Sequence, residues 1–259
     1  YLTGTLESPL ERHLYRVNLG AEAEAAETSS EPVRITEAQG WHGVNMSSDT
    51  RYYIDTYSSA RRPSVVGLHA SNGEELKVLE PNRALREKVR EYDLPTPEFT
   101  TVPAADGTTL NAYIIKPNDF DPDKKYPLLL YAYGGPGSQT VRRYWGGSRY
   151  LWHAYLVRKH GILVASVDNR GTGGRGKAFK SITYRRLGRI EAEDQIAAAQ
   201  HLRKLSYVDN ERVGMWGWSY GGYLTLMSML YEEGPKTFSI GAAVAPVTHW
   251  RLYDTIYTE

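Results

Sequence analysis

Cysteine is absent from this 259-residue chain, which removes disulfides, thiol catalysis and cysteine-ligated zinc from the chemistry open to it. Neither sign of charge dominates. Lys and Arg number 31 against 30 Asp and Glu, a net charge of +1, so nothing points to nucleic acid or an anionic membrane surface as partner. No apolar run approaches the ~20 residues that cross a bilayer. No His-x-x-x-His pair or cluster of carboxylates indicates a metal, and no cofactor is called for. The chain opens on Tyr1, without an initiator Met or a signal-peptide pattern, so the natural start is expected elsewhere.

What is present is ordinary for a globular chain: 41% hydrophobic and 24% charged residues, enough for one large or two small domains. Twenty tyrosines are many for this length and point to Tyr-rich strands or a Tyr-lined pocket.

The first 80 residues read as short strands near 1–6, 13–18, 33–36, 43–47, 51–57, 64–70 and 75–79, with hairpin turns at Asp49-Thr50 and Ser71-Asn72-Gly73. A weak self-match at an offset of 51 sets Thr5 and Ser8 against Thr56 and Ser59, and 14–17 against 65–68. A period near 50 with about four strands per unit is the arithmetic of propeller blades. The Ala- and Glu-rich stretch 21–30 reads as a solvated loop. Residues 1–90 are therefore expected to be C-terminal blades of a β-propeller, with the N-terminal edge cut.

A polar helix over 82–92 and a Pro-rich linker at 94–97 precede a change of pattern. Strands at 98–104 and 109–116 are joined through Asp106-Gly107. A strand at 126–133, a helix at 147–159, a strand at 161–167 and a helix at 190–205 follow. That last helix has Glu191, Glu193 and Asp194 at its start and Arg203 and Lys204 at its end, as the helix dipole favours. Strand 212–216, helix 223–230 and strand 240–245 complete the run. Two antiparallel strands and then β-α-β alternation over 91–259 are the order of an α/β-hydrolase sheet as far as its sixth strand.

Between strand 212–216 and helix 223–230 stands Gly217-Trp218-Ser219-Tyr220-Gly221. Gly-x-Ser-x-Gly alone recurs by chance about once in ten chains of this length. Strand, sharp turn and helix around it make a nucleophile elbow, with Ser219 as the nucleophile. The Tyr220 N–H is expected to be one oxyanion donor. The turn Tyr133-Gly134-Gly135-Pro136-Gly137, after the strand expected beside the elbow, reads either as a plain tight turn or as the source of the second.

A serine hydroxyl needs a general base oriented by an acid, which in this fold follow the serine in the order acid, then histidine. Downstream of Ser219 stand only His249 and Asp254, in reversed order, and His249 comes directly after strand 240–245. A loop histidine is the better reading of it. His13, His42, His69, His153, His160 and His201 have no motif around them and read as surface or core residues.

Five ordered segments resemble the dipeptidyl peptidase IV branch of the prolyl oligopeptidase family. They are 133–139, 167–171, 186–195, the elbow 217–223, and 244–259 with Val247, Trp250, Tyr253 and Tyr257. The resemblance is strong over about 95–259 and loose before it. It implies an eight-bladed propeller capping an α/β-hydrolase, and a serine exopeptidase that releases Xaa-Pro dipeptides or tripeptides from peptide N-termini. It makes Ser219 the nucleophile and Tyr133 the hydroxyl that completes the oxyanion hole beside the Tyr220 N–H. Val247, Trp250, Tyr253 and Tyr257 become the wall of a proline pocket, although packing alone would also account for such aromatics. The implied amine-gripping glutamates lie before Tyr1 and the triad Asp and His beyond Glu259, so residues 1–259 alone are expected to be inactive. A secreted or periplasmic setting fits best, and a homodimer stays open. An acylaminoacyl peptidase or esterase of the same fold, and a non-catalytic protein-binding relative, remain as alternatives.

Overall fold

The computed structural model describes residues 1–18 and 31–258. The acidic stretch 21–30 lies outside the described residues. The chain divides into two compact units, residues 1–93 with 142–147, and residues 94–141 with 148–259.

Among the described residues of the first unit the named strands pair antiparallel, and one isolated parallel bridge joins Arg12 to Trp41. β1 (Leu2–Gly4), β2 (His13–Arg16) and β3 (Val33–Arg34) form one sheet in that order. β4 (Trp41–Met46), β5 (Tyr52–Ser59), β6 (Arg62–Ala70) and β7 (Glu75–Glu80) form a four-stranded meander. The offset of 51 has a structural meaning, because it carries β1 onto β5 and β2 onto β6, neighbouring strands in each sheet. It fails at β3, which comes 16 residues after β2 ends while β7 follows β6 after only four. Thr50 and Gly73, both at positive φ (56° and 102°), make the two expected hairpin turns. Helix α1 (Arg83–Glu91) has no buried residue, as its polar sequence requires.

The second unit is a six-stranded mixed sheet with helices. In chain order it comprises β8 (Pro97–Pro103), β9 (Thr109–Ile115), β10 (Tyr126–Tyr131), α2 (Gly147–His160), β11 (Leu163–Val167), α3 (Gly176–Ser181), α4 (Arg189–Leu202), β12 (Val208–Trp218), α5 (Tyr220–Leu230), α6 (Gly234–Thr237) and β13 (Ile240–Val244). A 3₁₀ turn, Trp250–Leu252, and α7 (Thr255–Thr258) follow. Strand order is β13-β12-β10-β11-β9-β8, with β9 antiparallel to both its neighbours and β10 to β13 parallel. This is the α/β-hydrolase arrangement read from the sequence, and it sets β10 beside the elbow strand β12. β10 and β11 carry near-continuous apolar runs because both faces are covered. Leu128, Leu130, Leu163, Ala165, Val213 and Met215 are almost wholly buried, and α4 sets Ala192, Ala198 and Ala199 into the same core. Among the described residues no helix is long and apolar enough to cross a membrane.

The helices add detail to the sequence reading. The acids do open α4, and Glu191 and Asp194 are fully buried and hydrogen-bonded there. Helix α5 starts at Tyr220 rather than 223, and its last residue, Leu230, is 79% exposed rather than buried. Helices α3 and α6, six and four residues long, carry too little periodicity to be read in advance.

His153 of α2 has a measurable consequence. Its ring is buried against Tyr131 and Trp216, with centroids 5.2 and 5.6 Å away, and its Nε2 has no hydrogen-bond partner. Burial, reinforced by the Arg149 guanidinium, pushes it down to about 3. A depressed histidine binds its proton in the unfolded chain first, so stability is full above pH 6.5 and lost as pH falls towards 3, at about 1.4 kcal/mol per pH unit. Urea midpoints measured from pH 7 to pH 4 should fall less steeply in His153→Leu than in the unmodified protein. Equal slopes would show that His153 titrates normally.

Candidate active site

Ser219 closes β12 and caps α5 with φ 59° and ψ −118°, a conformation that costs a non-glycine residue on the order of 1–3 kcal/mol. Two backbone hydrogen bonds hold it there: Ser219 N–H donates to Val244 O at 2.9 Å, and Tyr223 N–H donates to Ser219 O at 3.0 Å. The flanking glycines are needed for space. A Cβ on Gly217 would run into the Gly221 carbonyl, and one on Gly221 into the carbonyl of Ala132 on the strand beside it. The result is a strained strand-to-helix turn that sets Ser219 at the N-terminus of α5.

Tyr133 follows β10, and its ring lies 6.1 Å from that of Tyr220. The turn after it is clamped from the loop following β11. Asn169 Nδ2 donates to Gly134 O at 3.0 Å, and Gly137 N–H donates to Gly171 O at 2.9 Å. That loop is in turn held by α4. Gln195 Nε2 donates to Val167 O and Asn169 Oδ1 at 2.9 and 3.0 Å, and Asp194 accepts from the Arg170 backbone N–H at 2.8 Å and from its Nη2 at 2.7 Å. Arg170 also pairs with Asp106 in the β8–β9 turn. The sequence segments 133–139, 167–171 and 186–195 thus meet in one hydrogen-bonded scaffold beneath the turn.

Trp250 anchors an aromatic cluster. Its ring stacks on Tyr257 at 6.0 Å and meets Tyr223, Tyr220 and Tyr253 at 5.0, 5.6 and 6.2 Å. Tyr253 and Tyr257 touch each other at 5.5 Å, while Val247 lies half-buried on the loop between β13 and the 3₁₀ turn. Burial, with the Tyr133 hydroxyl beside it, pushes the Tyr257 phenol up, and burial, with the Glu191 carboxyl beside it, pushes Tyr220 up, so both stay protonated at neutral pH. A cavity of about 1100 Å³ opens against Trp250 and Tyr257, and its other wall carries Lys180, Arg185 and Arg186.

Each histidine is accounted for away from Ser219. His249 is exposed, and its Nδ1 accepts from Arg251 N–H at 3.2 Å, capping the 3₁₀ turn. His42 pairs with Asp55 at 2.6 Å, and His13 with Glu11 at 3.2 Å. His69 stacks on Tyr53 and His160 meets the edge of Tyr155. His153 is the core residue described above, and His201 sits half-buried in the last turn of α4.

Sequence reasoning missed Glu191, whose Oε1 accepts from the Tyr220 hydroxyl at 2.5 Å. The signal available was its helical spacing, since 190, 191, 194, 195 and 198 all fall on the buried face of α4. It also missed the basic wall of the cavity, which has no motif.

Residues 148–259 match the model of the prolyl oligopeptidase family, and residues 1–64 match that of the dipeptidyl peptidase IV N-terminal region. Over its whole length the chain is 39% identical to a protein of Emericella nidulans named probable dipeptidyl-aminopeptidase B, and 40% identical to its namesake from Aspergillus fumigatus. It spans 28% and 27% of those two relatives. The crystal structure of Porphyromonas gingivalis dipeptidyl peptidase 4 superposes with a TM-score of 0.89 at 44% identity, covering 99% of this chain and 34% of that one.

Proposed function

The chain belongs to the dipeptidyl peptidase IV branch of the prolyl oligopeptidase family, and we propose that it works within a serine exopeptidase that releases Xaa-Pro dipeptides from peptide N-termini. The observation that carries this reading is the backbone of Ser219, held at positive φ between β12 and α5 in the strained turn that presents a nucleophile.

In this reading Ser219 Oγ attacks the carbonyl of the second substrate residue and passes its proton to a base. The tetrahedral oxygen accepts from the Tyr220 N–H and the Tyr133 hydroxyl. Collapse expels the peptide amine, which takes the proton, and water then hydrolyses the acyl-serine. Trp250, Tyr253 and Tyr257, with Val247, hold a proline ring at the second position. A rigid ring against flat aromatic faces buries area at little entropic cost, which supports proline over a flexible side chain.

Among the described residues no histidine is hydrogen-bonded to Ser219: His42 and His249 are bonded to other partners, and His153 is buried in the core. We therefore place the base and its acid outside residues 1–259, together with the group that grips the free amine. Purified residues 1–259 should show no turnover of Gly-Pro-p-nitroanilide, and appreciable turnover would refute this placement. The full-length protein should release dipeptide from that substrate and leave simple p-nitrophenyl esters almost untouched. Preferential ester cleavage would favour a broad esterase or acylaminoacyl peptidase. Failure of Ser219 to react with a fluorophosphonate would favour a protein-binding relative without catalysis.

A further inference from the structure

Glu191 is a buried carboxylate that the reaction as described leaves unused. It sits in the first turn of α4, fully inside the core. Among the described residues no Lys or Arg forms an ion pair with it. Its oxygens are satisfied instead by two donors from the site: Oε1 accepts from the Tyr220 hydroxyl at 2.5 Å, and Oε2 from the Gly188 N–H at 3.0 Å. An O–H···O contact that short lies in the charge-assisted range, where the bond is roughly twice as strong as a neutral one. A buried carboxylate without a cation depends on such donors, so the phenol and the carboxylate hold each other in place.

The neighbourhood extends the grip. Leu187 O accepts from the Tyr223 hydroxyl at 3.2 Å, and Gly188, at φ 92°, lies against the Tyr223 ring. The run 187–191 therefore fixes both tyrosines that contact Trp250 from α5. Tyr220 has two roles in the proposed reaction. Its buried ring backs Trp250, which lines the cavity, and its N–H, adjacent to Ser219, faces the developing oxyanion.

We propose that Glu191 is a positioning residue for acyl transfer at Ser219, fixing the Tyr220 phenol and through it both the pocket wall and the oxyanion donor. This rests on the function proposed above. A misplacement near 1 Å at a reacting group costs on the order of 10²-fold in rate, and a pocket wall free to rotate loses its preference for a flat ring.

The test uses the full-length protein and three variants: Glu191→Gln, Tyr220→Phe and the double variant. An amide offers one acceptor oxygen where the carboxylate offered two, so Glu191→Gln removes the charge-assisted bond from the Tyr220 phenol and leaves at most a neutral contact in its place. Tyr220→Phe removes the phenol bond from its other end. Each single variant should lower kcat on Gly-Pro-p-nitroanilide on the order of 10²-fold, with a smaller change in KM. Each should also narrow the preference for Gly-Pro over Gly-Ala substrates. The double variant should be no worse than the poorer single, because both remove one shared bond. A fall in melting temperature with rate and Pro/Ala preference unchanged would overturn the proposal, and so would losses that multiply in the double variant. If Glu191→Gln does not fold, Tyr220→Phe alone still reads the bond through the Pro/Ala ratio. Fluorophosphonate labelling of the unmodified protein separates the two failures. Labelling with unaffected variants sinks only the role of Glu191, whereas no labelling sinks the peptidase reading on which it rests.

Discussion

Replacing Ser219 with Ala in the full-length protein should lower kcat on an Xaa-Pro anilide by about 10⁶-fold, the loss typical when a serine hydrolase loses its nucleophile. What survives is catalysis by oxyanion donors and binding alone. Stability should hardly move. Alanine at φ 59° meets the same steric cost as serine, and the bonds that fix the elbow run through the backbone of residues 219, 223 and 244. Thermal melting, peptide turnover and fluorophosphonate labelling together separate the outcomes. Lost turnover and labelling with an unchanged melt identify the nucleophile, whereas retained turnover would move the chemistry to another residue.

Asp194→Ala should act in the opposite way, on the fold before the chemistry. Asp194 and Arg170 are buried together, and the carboxylate meets the backbone N–H, Nε and Nη2 of Arg170 at 2.8, 3.0 and 2.7 Å. Burial works against the Asp194 carboxyl and pushes it up, while hydrogen bonding to Asp194 holds the Arg170 guanidinium firmly charged. Removing Asp194 leaves the buried Arg170 charge with only the half-exposed Asp106 as partner, at a cost of up to about 3–5 kcal/mol. The loss should reach the site, because the loop that Asp194 holds also carries Asn169, the donor to Gly134. Exchanging both partners for apolar residues, Asp194→Leu with Arg170→Met, should cost less than Asp194→Ala alone. Urea midpoints for the three proteins decide the matter, and a double variant weaker than the single would mean that Arg170 is sustained mainly by Asp106.

The order of strands and the elbow were legible because each is local. β10 and β11 are short apolar runs bounded by turns, and Gly217 and Gly221 stand at a fixed distance from Ser219. The Tyr-rich composition found its place in both expected forms, on β5 and around Trp250. The buried acids were not legible. Asp194 and Glu191 occupy helix positions where a carboxylate is ordinarily solvated, and their partners Arg170 and Tyr220 lie 24 and 29 residues away. Nor does local pattern reveal that 142–147 groups with the first unit, since that follows from contacts such as Trp145 N–H donating to Ser58 Oγ at 3.2 Å, across 87 residues. The exposure of Leu230 was hidden for another reason, since an all-apolar helix gives no face to choose between.

The bond from Ser219 N–H to Val244 O ties the backbone of the turn at Ser219 to β13. A backbone amide exchanges its hydrogen for deuterium only when the bond it donates opens, so exchange at Ser219 reports its pairing with Val244 on β13. Its protection factor is then a direct gauge of how firmly that strand is seated. The seating of β13 and the backbone of Ser219 are thus one quantity, read at a single amide.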